Sequence, residues 1–127
     1  SQMTFVNQKL QDAIQSILNN SARPPIIIIQ GDHGPGAHYD MLKLNDSCLT
    51  ERYSILNAYY FPDGDYKLLY PEITPVNSLR VILNQYFGGN LELLADRNYF
   101  ASWLSPYLFT DVTDKVNLMC NVPVASP

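Results

Sequence analysis

Positive charge is what this sequence has least of. Eight Lys and Arg stand against twelve Asp and Glu, the net charge is -4, and charged residues make up only 16% of the 127 positions. Nucleic acid and anionic membrane surfaces select dense basic patches, so neither is expected as a partner. Long apolar runs are missing too. None approaches the roughly 20 residues needed to span a bilayer, and the first residues carry no basic stretch followed by an apolar signal core, so the chain is expected to be soluble. Cysteine is nearly absent: Cys48 and Cys120 are too few for a disulfide framework and lack metal-ligand spacing. Two free thiols are the plain expectation, and the redox compartment stays open. No internal repeat and no low-complexity segment is present. What remains, 46% hydrophobic, is enough for one domain with a real core.

The periodicity places elements in order. In "TFVNQKLQDAIQSILNN", Val6, Leu10, Ala13, Ile14, Ile17 and Leu18 recur at helical spacing, and Asn19, Asn20, Ser21 and Pro24-Pro25 supply the stop. Ile26 to Gln30 follows as a strand. Its consecutive β-branched residues without polar alternation predict burial on both faces, as in a parallel sheet. Residues 31–51 lack periodicity and read as a long surface loop, the kind that is functional or mobile in compact domains. A second strand is expected over Tyr53 to Tyr60, ended by Pro62 and the turn "PDGD". "ITPVNSLRVILNQYFGG" is a helix with Thr74 as cap, Pro75 in the first position, a face of Leu79, Ile82, Leu83 and Tyr86, and Gly88-Gly89 as its end. Beyond it the chain is irregular, with one short strand near Phe109 to Val112 and a flexible tail over residues 121–127.

The apolar strand delivers "GDHGPG" to the rim of the core. Asp oxygen and His nitrogen both ligate zinc or manganese-like ions, but adjacent side chains on a strand point opposite ways, so convergence on one ion needs a turn. Gly31 and Gly34 permit that turn. Two ligands do not complete a shell, and the same residues also suit a plain turn in which Asp32 bonds to backbone amides.

"PPIIIIQGDHGPG" resembles the strand and metal-binding Asp-His-Gly motif of the alkaline phosphatase superfamily, specifically its sulfatase-like branch, which includes lipoteichoic acid synthase. "ERYSILNAYYFP" is similar to the following strand of such domains, "ITPVNSLRVILNQYFG" to their late helix, and "LELLADRNYF" to the segment that closes them. The resemblance implies an α/β fold, part of the three-layer alkaline-phosphatase-like sheet, running helix-strand-loop-strand-helix with an irregular C-terminal segment over residues 1–120. It implies Asp32 and His33 as metal ligands and Gly34 as the glycine that lets the loop pass the ion. His38 is a candidate second-shell or substrate contact, with a solvent-exposed loop histidine as the alternative.

Domains of that family carry their nucleophile well upstream of this motif, so the resemblance implies no catalytic nucleophile here. It implies the C-terminal third of a larger domain in a membrane-anchored parent with an extracytoplasmic location. Manganese or zinc would serve the complete parent and be held weakly or not at all by this portion. The expected partners are the upstream portion and a second copy through an exposed sheet edge. Arg52 and Arg80 are expected in surface ion pairs. The aromatic set Tyr59, Tyr60, Phe61, Tyr86, Phe87, Tyr99, Phe100 and Trp103 is expected to pack structurally. Two function classes remain: the metal-binding part of a sulfatase-like hydrolase or transferase acting on phosphate or sulfate esters, and a non-catalytic module, an inactive relative of the family or an interaction domain, whose GDHG loop only shapes a turn.

Overall fold

The Thr-Pro step and the Gly-Gly pair of the late helix act where the sequence places them. In the computed structural model, which describes residues 1–118 and 120, this helix is the third of three. The order is α1 (Gln2–Asn20), β1 (Ile27–Gln30), a 3-10 turn (Leu44–Asp46), α2 (Leu49–Tyr53), β2 (Asn57–Tyr60), α3 (Pro75–Phe87), β3 (Tyr99–Ser102), β4 (Ser105–Asp111) and a 3-10 turn (Thr113–Lys115). The class is mixed helix and strand. The expected tail at residues 121–127 lies outside the described residues.

The described chain forms two units. The first holds residues 1–29 and 57–68. Here α1 starts at Ser1, whose Oγ accepts the Thr4 N–H, and stops where Ser21 turns extended. None of its residues is fully buried, and of its apolar stripe Leu10, Ile14 and Leu18 are half-buried while Val6 and Ile17 are exposed. β1 and β2 form a two-stranded sheet. The Gly31 N–H bonds the Leu56 C=O just beyond the two strands, which joins the end of β1 to the start of β2 and makes the pair antiparallel. The expectation of a strand covered on both faces in a parallel sheet is therefore corrected. Burial along β1 alternates, because a two-stranded ribbon presents only one face to cover.

The second unit holds residues 30–56 and the described residues from 69 onward. β3 and β4 form an antiparallel hairpin whose register slips between Phe100 and Ser102. Leu49, Phe100 and Val112 make its core, with Tyr39, Leu44, Tyr53 and Val116 packed around them. The second strand was expected from Tyr53, but the chain there is helical. Leu49 must enter the core, and a single turn through Tyr53 puts it there. Cys48 and Cys120 are joined in a disulfide across 72 residues, their Cα atoms 5.3 Å apart, which corrects the reading as free thiols.

α3 keeps its predicted ends, with Thr74 at the N-cap, Pro75 first and Gly88 left-handed at φ 66°. Its buried face overlaps the predicted one at Ile82, with Tyr86 half-buried, but is otherwise shifted. Asn77, Ser78, Val81 and Ile82 are buried while Leu79 and Leu83 are exposed. The helix is rotated because Asn77 is fully enclosed as a template: its Nδ2 donates to the Leu94 C=O at 2.7 Å and its Oδ1 accepts the Leu94 N–H at 3.0 Å. Asp96 completes the cap that the Thr74 side chain does not make. It accepts the Thr74 N–H at 2.7 Å and the Tyr70 hydroxyl at 2.6 Å. Burial works against charge on Asp96, but the bonds from Thr74 and Tyr70 outweigh it and hold the carboxyl below its ordinary range.

Candidate functional site

The site is built where β1 ends. Asp32 Oδ1 accepts the His33 N–H at 3.0 Å, so the carboxylate bonds the adjacent backbone amide, one residue short of the reach of an Asx turn. That bond leaves Oδ2 free to face His33 Nε2 at 3.6 Å, and both side chains are open to solvent, 87% and 49% exposed. The structure thus brings the two predicted residues to one side of the strand end. His33 Nδ1 lies 2.9 Å from the Gly34 carbonyl oxygen. A carbonyl only accepts, so Nδ1 carries a proton, and in the neutral form of the ring the lone pair lies at Nε2.

The glycines act differently from expectation. Neither Gly31 nor Gly34 has a positive φ. A side chain at Gly31 would make only ordinary contacts, whereas a Cβ at Gly34 would collide with the carbonyl oxygens of Glu51 and Ser54. Gly34 is needed for close approach to α2, to which its N–H is bonded through the Arg52 C=O at 2.7 Å.

Three more contacts fasten the loop to α2. Glu51 Oε1 accepts the Ala37 N–H at 2.9 Å, Glu51 Oε2 accepts from His38 Nδ1 at 2.9 Å, and the Cys48 N–H donates to the His38 C=O at 2.6 Å. The bond from His38, partly offset by desolvation and helped by the Ala37 N–H, holds the Glu51 carboxyl below its ordinary range. His38 is thus a solvent-exposed loop histidine, its side chain 52% exposed, whose ring and carbonyl are both hydrogen-bonded. Glu51 was missed from sequence. It lies 13 residues from His38 in a segment without periodicity, and no local signal pairs such positions.

The two arginines also depart from expectation. Arg52 places its guanidinium 4.8 Å from the centre of the Tyr39 ring and leans on the Gly34 carbonyl oxygen, with no carboxylate partner among the described residues. Arg80 donates to the Glu92 carbonyl oxygen. Of the aromatic set, Phe61 and Phe100 are core residues, but Trp103 is 73% exposed, so packing does not account for all of them. No group of three or more His, Cys, Asp or Glu with metal-binding geometry exists among the described residues.

No family model matches the chain, and no curated protein or solved structure matches it.

Proposed function

We propose that the chain is the metal-binding portion of a sulfatase-like hydrolase or transferase of the alkaline phosphatase superfamily, acting on phosphate or sulfate esters, with its nucleophile on an upstream portion. In this reading the two small sheets belong to a larger three-layer architecture. The observation that carries it is the pairing of Asp32 Oδ2 with His33 Nε2. An imidazole nitrogen at about 2.0–2.1 Å and a carboxylate oxygen at about 2.0–2.2 Å from one ion, at angles between square and tetrahedral, lie roughly 2.8–3.5 Å apart. The observed 3.6 Å lies just beyond that range, so a small side-chain adjustment would bring both atoms onto one ion.

The donor chemistry fits as well. Gly34 fixes the His33 tautomer through Nδ1, as partner groups do for metal-bound imidazoles, and the His33 N–H orients the carboxylate through Oδ1. When bound, manganese or zinc supplies charge stabilisation at a phosphoryl or sulfuryl oxygen and lowers the pKa of the attacking hydroxyl. Asp32 and His33 would supply the two donor atoms, and Gly34 lets the backbone that follows them approach α2. Further support comes from the disulfide, which suits an oxidising, extracytoplasmic compartment.

The test is metal binding. Calorimetry with Mn²⁺ and Zn²⁺ on the protein that includes the upstream portion should show binding that Asp32→Asn and His33→Ala each abolish, with unfolding temperature unchanged in the absence of metal. Binding that survives both substitutions would refute the assignment.

A further inference from the structure

Trp103 is the single tryptophan of the chain, and it stands open at the turn between β3 and β4. It is not alone. Trp103, Leu104, Tyr107, Leu108 and Phe109 are between 64% and 89% exposed. At about 150–250 Å² for an aromatic side chain, the five leave roughly 700 Å² open, more than the about 300–600 Å² of the largest patch on an ordinary monomer. A second segment adds to it. The Trp103 N–H donates to the Met41 C=O at 2.8 Å, and Met41 and Leu42 are themselves exposed. Their segment is shaped in advance, because Asp40 Oδ1 accepts the Leu42 and Lys43 N–H groups and Ser47 Oγ accepts the Asp40 N–H.

Two properties of the patch decide what can cover it. Tyr107, Leu108 and Phe109 are consecutive and all open, so both sides of the ribbon are bare, since successive side chains of a strand point to opposite faces. A rigid protein surface would cover one side only. Strand addition by a second copy is disfavoured as well: Ala101 alone separates Phe100 from Ser102, whereas Pro106 to Phe109 separate their partners Ser105 and Thr110, a bulge that blunts the edge. The second property is charge. No charged residue lies between Arg97 and Asp111, which pair with each other at 2.9 Å, and Lys43 beside Leu42 pairs with Asp46 at 3.6 Å. The rim thus offers no net positive charge to an anionic headgroup. We propose that the β3–β4 turn, with Met41 and Leu42, is a lipid-contact surface that seats on a zwitterionic phospholipid interface, carrying Trp103 and Leu104 about 5–10 Å deep to the acyl boundary. The indole N–H of Trp103 and the hydroxyl of Tyr107 then meet the headgroups, where such rings collect in membranes. The shortage of basic residues that excludes an anionic membrane surface does not bear on this one. Neither Asp32 nor His33 takes part, so the proposal stands apart from the metal reading.

The test uses the full chain and vesicles of pure phosphatidylcholine, with Trp103 as the built-in probe. Its emission should move to the blue as lipid is added and be quenched by lipids brominated near the top of the acyl chain, and the protein should float with the vesicles. Leu104→Ser with Leu108→Ser keeps the probe and should weaken partition by about 100-fold, on the order of tenfold for each leucine withdrawn from the interface. Leu79→Ser, an exposed leucine of α3, should leave partition unchanged. Far-UV dichroism and the urea midpoint check folding, and Trp103→Ser, followed by flotation, is the second variant if the leucine pair fails to fold. Binding should also persist when NaCl is raised to about 0.5 M, since no charge attraction holds it. Emission that stays unchanged in excess phosphatidylcholine overturns the proposal, as does binding that requires phosphatidylglycerol and fades with salt. A blue shift that grows with protein concentration in the absence of lipid, with sedimentation reporting a dimer that the leucine pair abolishes, overturns it too and gives the surface to a second copy.

Discussion

Removing the disulfide is the most quantitative perturbation available. Cys48→Ser with Cys120→Ser opens a loop whose ends are 72 residues apart in sequence. In the chain-entropy account, closing a loop of that length removes about 15 cal/mol/K from the unfolded ensemble, or about 4 kcal/mol at 25 °C. A domain is stabilised by only about 5–15 kcal/mol, so the loss is a large fraction of the total. With an unfolding entropy of about 2.1 cal/mol/K per residue, it corresponds to a fall in Tm on the order of 15 °C. Differential scanning calorimetry of the oxidised protein, the reduced protein and the double Ser variant checks it. The variant and the reduced wild type should melt together, well below the oxidised form. A variant within about 1 kcal/mol of the oxidised protein would refute the reasoning, as would two titratable thiols per folded chain.

Gly34→Ala should destabilise by about 2–3 kcal/mol in urea unfolding, the range of overpacking, because the new Cβ meets the Glu51 and Ser54 carbonyl oxygens, which are backbone atoms and cannot swing away. Gly31→Ala, with only ordinary contacts, is the control. Asp96→Asn should weaken α3 and flatten the pH dependence of stability. The folded carboxyl lies below its ordinary range, so its contribution is fully present above the unfolded carboxyl's pKa and is lost as pH falls through the depressed folded value. Urea midpoints between neutral pH and about pH 3 should therefore fall more steeply for wild type than for Asp96→Asn; parallel curves would contradict the assignment.

Legibility followed locality. The ends of α3 were readable because a capping Thr, a Pro in the first turn and a left-handed Gly act within a few residues of the boundary. Its buried face was readable only at Ile82 and Tyr86, since Asn77 is buried by partners at Tyr70 and Leu94 that no helical periodicity reports. The β3–β4 hairpin was missed except at its last residues. Its turn, Trp103-Leu104, lacks Gly or Asn, and all seven residues of β4 are exposed, so neither turn chemistry nor alternation marks it. The closeness of the Asp32 and His33 side chains was legible because the two residues are neighbours and the only question was the turn. Glu51, the Cys48–Cys120 bond and the Thr50 hydroxyl's contacts with the Val116 and Leu118 carbonyls join positions 13 to 72 residues apart, beyond the reach of single-sequence patterns.

Those long-range contacts converge on α2, and that has a consequence for the site. A helix of five residues has no stability of its own, because nucleation costs more than so few hydrogen bonds return. α2 persists because Leu49 is buried, Thr50 bonds the chain near Val116 and Leu118, and Cys48 is tied to Cys120. The same five residues and their cap present the Arg52 carbonyl to Gly34, the Glu51 carboxylate to His38 and Ala37, and the Cys48 N–H to the His38 carbonyl. The loop after Asp32 and His33 is therefore held in shape by an element that is itself held by the C-terminal segment. Loosening the disulfide should release the His38 and Ala37 contacts before it unfolds α3, whose cap and template contacts run only among residues 70–96.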